Sequence, residues 1–110
     1  MIGRIYAEEL YQVWQSNKDI RVIDVRTPEE YREVRAKGVI HVPLDEISAK
    51  ALVAKGVQPS DRVYMICRSG ARSQRACEML QQEGYQNLTN VEGGTLAWIE
   101  AGLPHELGQS

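Results

Sequence analysis

The sequence predicts an α/β protein built on a mostly parallel sheet with helices on both of its faces. Short runs rich in β-branched residues alternate with longer segments of helical periodicity along all 110 residues. Regular alternation of strands and helices is typical of crossover connections, which join parallel strands. The length suits one packed core, so residues 1–110 are predicted to form a single domain.

The first helix and the first strand are predicted from their apolar spacing. Leu10, Val13 and Trp14 recur at helical intervals within AEELYQVWQSN. Next comes IRVIDVR at 20–26, a compact run of valine and isoleucine that is typical of a strand.

A capping pattern marks the second helix. Thr27 fits the N-cap, Pro28 fits the first helical position, and Glu30 places a carboxylate in the first turn. This pattern predicts a short helix over 28–35. The segment GVIHVP at 38–43 then predicts a second strand.

The second half of the chain continues the alternation, with Gly56 and Gly84 ending two of its helices. The predicted elements, in order, are a helix LDEISAKALVAKG at 44–56, a strand RVYMIC at 62–67, a helix from the following loop to about Gln82, a strand NLTNVEGG at 87–94 and a helix TLAWIEAG at 95–102. The remaining residues at 104–110, PHELGQS, are polar and are predicted to form a frayed tail.

Composition excludes two large classes of partner. The formal net charge at pH 7 is −2, so no overall basic surface favours nucleic acid or an anionic membrane. No stretch approaches the ~20 apolar residues of a membrane span, and the first residues lack the pattern of a secretory signal. We expect a cytoplasmic protein with no nucleic-acid or membrane partner.

The two cysteines, Cys67 and Cys77, are too few for the disulfide framework of a small secreted domain. Metal binding is equally disfavoured, because His41 and His105 lie far apart and no pair of ligands has the spacing of a metal site. We expect free thiols, no metal and no cofactor. Cys77 shares a helical face with Leu80, which predicts a structural role for this second thiol.

Cys67 stands where a parallel sheet places its functional groups. It is the last residue of the strand at 62–67, and ligands of such sheets bind beyond the carboxyl ends of the strands. A thiolate at a helix N-terminus beside Arg68 and Arg72 is stabilised, which lowers its pKa below the ordinary value of about 8.5. This combination predicts a reactive nucleophile rather than a buried structural cysteine.

The loop after Cys67 is suited to hold an anion. Gly70 tolerates the backbone conformation that a tight curl requires, so successive amides can converge above the sulfur. The candidate binding residues are Arg68, Ser69, Gly70, Ala71, Arg72 and Ser73.

Three motifs, CRSGARS at 67–73, VEGG at 91–94 and AW at 97–98, occur together at a specific spacing. With VIDVRTPEEY and GVIHVPL, they resemble the single-domain rhodaneses, a family of thiosulfate-type sulfurtransferases. The resemblance implies a five-stranded, mostly parallel sheet flanked by helices. It also implies a six-residue active loop, Cys67–Arg72, that begins with the nucleophilic cysteine.

The resemblance further implies a double displacement. The Cys67 thiolate takes the outer sulfur of a donor such as thiosulfate, sulfite leaves, and a thiol or cyanide then removes the sulfur from the persulfide. Arg68 is expected to orient the sulfonate of the donor. Arg72 is a second candidate for this contact, although it could instead face solvent or pair with an acid. In the family, basic residues after the cysteine go with thiosulfate, and Arg68-Ser69 matches half of that pattern.

Two alternative functions stay open at this stage. One is a persulfide carrier that hands sulfur to a partner protein of a sulfur relay. The other is a cysteine-dependent phosphatase or arsenate reductase. This class is disfavoured because its loop has five residues between cysteine and arginine, whereas the loop from Cys67 to Arg72 has four.

One segment departs from the family pattern. VRAKGV at 34–39 keeps Gly38 but lacks the first glycine and the histidine of the family's Gly-His-Ile stretch. The departure bears on local structure or partner contact more than on chemistry. Asp24 and Arg26, in contrast, match positions that we expect to be architectural, holding the strand end near the active loop.

Overall fold

The computed structural model describes residues 2–108, and seven strands lie within them. They are β1 (Gly3–Tyr6), β2 (Arg21–Asp24), β3 (Val34–Ala36), β4 (Ile40–His41), β5 (Val63–Ile66), β6 (Leu88–Glu92) and β7 (His105–Leu107). Five of the strands form one sheet in the order β1-β6-β5-β2-β4, and every neighbouring pair is parallel. The other two, β3 and β7, form an antiparallel pair. The predicted α/β class with a five-stranded parallel sheet is confirmed.

Helices connect the strands and cover both faces of the sheet. They are α1 (Ala7–Ser16), α2 (Pro28–Glu33), a 3-10 turn (Leu44–Glu46), α3 (Ala49–Ala54), α4 (Ala71–Gln82) and α5 (Gly94–Glu100). Leu52 of α3 and Leu80 of α4 belong to one apolar cluster, while Leu10 of α1 and Trp98 of α5 belong to a second. Among residues 2–108, none of the helices is both long and apolar enough to cross a bilayer.

β5 lacks charged residues, and β2 is apolar at Val22 and Ile23, because both faces of these central strands are buried. On β2, the neighbours Val22 and Ile23 belong to opposite clusters, and on β5 the same is true of Tyr64 and Met65. Successive side chains of a strand point to opposite faces, so a strand between two helical layers needs apolar residues at every position. This requirement explains the unbroken apolar runs from which the strands were predicted.

The second helix begins as predicted and ends earlier. The Thr27 hydroxyl accepts a hydrogen bond from the Glu30 amide at 3.2 Å, and the Glu30 carboxylate accepts one from the Thr27 amide at 3.0 Å. The helix stops at Glu33 because Val34–Ala36 extend into β3 and pair with β7. The segment that departs from the family pattern is therefore a short strand.

The prediction of a frayed tail over 104–110 is wrong for part of that segment. His105–Leu107 form β7 and pair with a strand from much earlier in the chain. The Pro104 carbonyl accepts a hydrogen bond from the indole nitrogen of Trp98 at 2.6 Å. Polar composition does not reveal such long-range backbone pairing, which is why the sequence pointed to a free end. The last two residues lie outside the described ones.

Two further elements differ from the prediction. Gly3–Tyr6 form β1 at the edge of the sheet, and their side chains are mostly exposed, so no apolar run announces this strand. The predicted helix over 44–56 is divided into the 3-10 turn and α3. The division falls at Ser48, whose hydroxyl accepts a hydrogen bond from the Ala51 amide at 3.0 Å and so caps α3.

Candidate active site

Cys67 follows β5 directly and lies at the carboxyl edge of the sheet, where the parallel strands end. In the sheet, β5 has β2 on one side and β6 on the other. The segment from Cys67 to α4 is therefore surrounded by the ends of both neighbours. Only 1% of the cysteine is exposed, so the sulfur lies beneath the loop.

The loop curls so that its own donors point at this sulfur. Cys67 Sγ accepts hydrogen bonds from the Gly70 amide at 3.0 Å and from the Ser73 hydroxyl at 3.3 Å. Gly70 is the N-cap of α4 and has φ of +115°, a left-handed conformation that residues with a side chain rarely adopt. The start of α4 adds the positive end of a helix dipole. The arrangement is suited to hold negative charge on the sulfur.

Backbone amides at the N-terminus of α5 form hydrogen bonds to the first residues of the loop. The Thr95 amide donates to the Cys67 carbonyl at 2.8 Å, and the Leu96 amide donates to the Arg68 carbonyl at 3.2 Å. Gly94 makes this approach possible, because a Cβ at that position would collide with the Cys67 and Arg68 carbonyl groups. This close approach explains why the second glycine position of VEGG cannot carry a side chain.

The hydrogen bonds to the sulfur favour its ionised form. Burial raises the pKa of Cys67, but the Ser73 hydroxyl and the amides of Ser73, Gly70 and Ser69 lower it by more, so the pKa falls below its ordinary value. A thiolate at this position is a better nucleophile than a thiol. The cradle of amides and hydroxyl is the main source of the effect.

Ser73 is itself held by β6. Its hydroxyl donates to Asn90 Oδ1 in a short contact and also approaches the Gly70 carbonyl at 3.1 Å. Asn90 is oriented by two further bonds, from its Nδ2 to Glu92 Oε2 at 2.8 Å and to the Gly70 carbonyl at 3.2 Å. Because a hydroxyl has one proton, the Ser73 proton is shared between the amide oxygen and the sulfur, and a thiolate draws it toward the sulfur.

Arg72 pairs with an acid. Its guanidinium donates to both carboxylate oxygens of Glu30, at 2.7 and 2.9 Å. This contact, with smaller contributions from Thr27, lowers the pKa of Glu30 to about 2 against partial burial. The pKa of Arg72 is raised, chiefly by Glu30 and to a smaller degree by the nearby Cys67. Of the alternatives for Arg72, the structure adopts the ion pair.

The other loop residues are more exposed to solvent. Arg68 is exposed and makes no ion pair within residues 2–108. Ser69 and Ala71 are also exposed; Ser69 contributes its amide to the cradle, and Ala71 is the first residue of α4. Arg68 is therefore the cation of the loop that is free to meet an incoming anion.

Asp24 and Arg26 form a buried ion pair at the end of β2. The Arg26 Nη2 lies 2.8 Å from Asp24 Oδ2 and also donates to the Val34 carbonyl at 2.6 Å. One guanidinium thus links the end of β2 to β3. The pair has an architectural role, but it fastens the strand end to β3, and within residues 2–108 neither side chain forms a hydrogen bond to the active loop.

Cys77 and His41 both have contacts typical of a structural role. Burial, with a smaller effect from Glu78, raises the pKa of Cys77 to about 12, and the thiol packs in the same apolar cluster as Leu80. His41 Nε2 lies 2.8 Å from the Arg26 carbonyl, and its ring stacks on Tyr31 with centroids 4.2 Å apart. Cys67 and Cys77 are both free thiols in opposite electrostatic surroundings.

Two cavities flank the loop. One, of about 660 Å³, lies beside Leu44, Arg72 and Arg75. The other, of about 710 Å³, lies beside Arg68 and Thr95. Cys67 forms part of neither wall, so a reactant on either side must reach the sulfur past the loop.

Several residues of this site escaped prediction. Glu30 was recognised as a capping residue but not as the partner of Arg72, which lies 42 positions away. Asn90 and Glu92 had a weak signal, since they alternate at the carboxyl end of a strand beside β5. Within residues 2–108, no three side chains of histidine, cysteine, aspartate or glutamate are grouped so as to hold a metal ion.

The chain is similar to known proteins over most of its length. The family model "Rhodanese-like domain" matches residues 6–101. A sulfurtransferase of Allochromatium vinosum is 36% identical over 105 residues, which cover 94% of each chain. The thiosulfate sulfurtransferase GlpE of Vibrio cholerae is 30% identical, with 86% of this chain and 87% of the relative covered. The solution structure of a homodimeric polysulfide-sulfur transferase from Wolinella succinogenes is 31% identical and superposes with a TM-score of 0.77 over 96% of this chain and 78% of that one.

Proposed function

Because this chain belongs to the rhodanese-like family, we propose that it moves a sulfane sulfur from thiosulfate or another persulfide donor to a thiophilic acceptor through a persulfide on Cys67. The observation that carries the proposal is the cradle around the sulfur. The Gly70 amide and the Ser73 hydroxyl point at Cys67 Sγ from 3.0 and 3.3 Å. Such donors favour a thiolate before the reaction and an anionic persulfide after it.

The first half of the reaction forms a sulfur–sulfur bond. The Cys67 thiolate attacks the outer sulfur of thiosulfate, the bond from that sulfur to the sulfonate breaks, and sulfite leaves with the electron pair. Charge is conserved, since a thiolate and a dianion give an anionic persulfide and a dianion. Nucleophile and leaving group are both stable anions, so the step needs neither a general acid nor a metal.

The second half regenerates the thiolate. An acceptor such as cyanide or a thiolate attacks the outer sulfur of the persulfide, and the electron pair of the broken bond returns to Cys67 Sγ. Arg68, exposed at the entrance of the loop, binds the sulfonate of the donor and stabilises the departing sulfite. Arg72, held by Glu30 in the first turn of α4, adds positive potential to the site without leaving its ion pair.

Peptide mass spectrometry tests the proposal. The protein is incubated with thiosulfate, digested and mapped, and a second sample is treated with cyanide first. We expect one added sulfur on the peptide that contains Cys67, its loss after cyanide, and thiocyanate in solution. A parallel assay with an aryl phosphate tests the phosphatase alternative, and efficient phosphate release without thiocyanate would overturn the assignment.

A persulfide carrier is the second candidate. It uses the same Cys67 chemistry and differs only in that both donor and acceptor are proteins. Its support is that Cys67 is 1% exposed and lies on neither cavity wall, an arrangement that protects a persulfide between encounters. Slow turnover with thiosulfate together with rapid loading from a protein persulfide would favour the carrier over the enzyme.

A further inference from the structure

Most of the walls of the cavity beside Arg68 have no part in the proposed reaction with thiosulfate. It lies between the α2–β3 segment and the α5–β7 segment and opens next to the first residues of the active loop. Six of its wall residues carry the following argument: Glu33, Arg68, Thr95, Leu96, Glu100 and Leu107. We call this the acceptor cavity.

Apolar side chains are exposed along one wall of the acceptor cavity. Leu96 is 49% exposed and Leu107 is 76% exposed, and both border the same opening. Leu96 is on α5 and Leu107 is on β7, so two separate elements present leucines to one space. Exposed leucines beside a reactive site are typical of a surface that a protein partner covers.

Two glutamates on the rim of the acceptor cavity lie at helix ends, where a negative charge does not stabilise the helix. Glu33 is the last residue of α2, and Glu100 is the last residue of α5. A negative charge at a helix C-terminus is electrostatically unfavourable. Neither carboxylate forms an ion pair with another residue of 2–108. A cationic group bound between them would relieve both helix ends.

The inner end of the acceptor cavity contains a buried threonine and an unpaired arginine. Thr95 is 3% exposed, and its hydroxyl is buried with no hydrogen-bond partner within residues 2–108. The Thr95 amide donates to the Cys67 carbonyl, so Thr95 supports the backbone of the residue that carries the nucleophile. An unsatisfied buried hydroxyl is unfavourable in the resting protein. Beside it, Arg68 supplies a free positive charge.

We propose that the acceptor cavity receives a segment of a partner protein whose acceptor cysteine is flanked by a basic and an apolar residue. This inference rests on the proposed function, and it names the acceptor class for the same site. The cysteine thiolate meets Arg68, the basic side chain lies between Glu33 and Glu100, and the apolar one covers Leu96 and Leu107. A small acceptor such as cyanide could not make these contacts together.

The transfer step balances without any redox partner. The thiolate of the segment attacks the outer sulfur of the Cys67 persulfide, and the bond between that sulfur and Cys67 Sγ breaks. The electron pair stays on Sγ, and the outer sulfur leaves with its charge or proton as a persulfide of the partner. Arg68 meets the sulfonate in the first half-reaction and the acceptor thiolate in the second, so donor and acceptor use this end of the cavity in turn.

The test uses the second half-reaction alone. The protein is loaded with thiosulfate, freed of excess donor and discharged with two synthetic peptides that differ only in Lys or Glu beside the cysteine. The ratio of the two rates is compared between the wild type and the variant Glu33→Gln/Glu100→Gln. Comparing ratios cancels the intrinsic reactivity of each peptide thiol.

We expect the wild type to favour the Lys peptide by about threefold to tenfold at low salt. The double variant should lose most of this preference, and so should the wild type at high salt. Asp19→Asn/Glu78→Gln removes the same charge away from the cavity and should keep the preference. Discharge by cyanide should stay within about twofold in every variant.

If the ratio of the discharge rates by the Lys and Glu peptides is the same in the wild type and in Glu33→Gln/Glu100→Gln, the assignment of the acceptor cavity is overturned. Failure to load Cys67 from thiosulfate or from a protein persulfide would instead overturn the proposed function itself.

Discussion

The guanidinium of Arg72 binds the carboxylate of Glu30 through two parallel contacts, at 2.7 and 2.9 Å. Glu30 also closes the capping box of α2 through Thr27. One carboxylate therefore fixes the N-terminus of α2 and attaches it to the first turn of α4, beside the active loop. Bidentate pairing of this kind gives geometric definition as well as energy.

Glu30→Gln is expected to weaken this attachment. A glutamine still completes a capping box but cannot pair as an anion with Arg72. Because Arg72 and Glu30 are about one third and one quarter exposed, solvent screening limits the loss in the free energy of unfolding to about 1 kcal/mol at pH 7. Chemical denaturation of both proteins measures the difference.

The pH dependence of that difference follows from the pKa of Glu30. The folded protein lowers this pKa from 4.5 to about 2, so the pair stabilises the folded state fully above about 4.5, and its contribution is lost as the pH falls toward 2. The two proteins should therefore converge in stability between pH 4.5 and 2. A difference that persists at pH 2 would show that the substitution acts through the cap instead.

Ser73→Ala is expected to move the titration of Cys67 to higher pH. The Ser73 hydroxyl is the largest of the contributions that lower the pKa of this thiol, so its removal raises that pKa and leaves less thiolate near neutrality. The rate of alkylation by iodoacetamide, measured against pH, reports the shift directly. Ser69→Ala is the matched control, because Ser69 contributes its amide and not its hydroxyl. An unchanged profile in Ser73→Ala would mean that the hydroxyl proton belongs to Asn90 alone.

Much of the fold was predictable because its signals are local. The strand at β5 and the cap of α2 are encoded in adjacent residues, and their order fixes the carboxyl edge at which Cys67 lies. The strands β1, β3 and β7 were missed, since each is short and gains its stability from a partner distant in sequence. The limit of prediction was therefore set by long-range pairing rather than by composition.

The candidate site also contains residues that were predictable and contacts that were not. Cys67 and Gly70 were recognisable, because a strand end, a glycine and a helix start follow one another in the chain. The pairing of Arg72 with Glu30 and the support of Ser73 by Asn90 depend on which strands are neighbours. A sequence that predicts a parallel sheet without its strand order cannot decide between solvent and an acid as the partner of Arg72.

Arg68→Ala is expected to affect the donor half-reaction. Arg68 is exposed beside the loop and forms no ion pair within residues 2–108, so its charge is available to the sulfonate of thiosulfate. Losing one charged contact of the transition state should lower kcat/KM for thiosulfate by about one to three orders of magnitude. Loading from a persulfide donor that has no sulfonate should fall less.

The exposed Lys18, in the turn before β2, provides the control for this prediction, because it lies at the amino edge of the sheet, opposite the loop. Lys18→Ala removes the same charge from the protein and should leave both donors unaffected, because exposed charges farther apart than the Debye length of about 8 Å interact weakly. If Arg68→Ala slows both donors equally, the arginine has a structural role and does not bind the sulfonate.

The two cysteines should differ completely in sulfur transfer. Cys67 lies in the cradle of amides that lowers its pKa, whereas burial raises the pKa of Cys77 to about 12. Cys67→Ser should abolish persulfide formation, since an alcohol is not ionised near neutral pH and its oxygen is a poor nucleophile toward sulfur. Cys77→Ala should keep the chemistry and lose about 1 kcal/mol of stability from a smaller buried side chain.

Peptide mapping after thiosulfate, and again after cyanide, locates the added sulfur in each variant. Sulfur on Cys77, or a folded Cys77→Ala protein that cannot turn over, would establish a relay between two thiols and would exclude a mechanism with Cys67 as the single nucleophile.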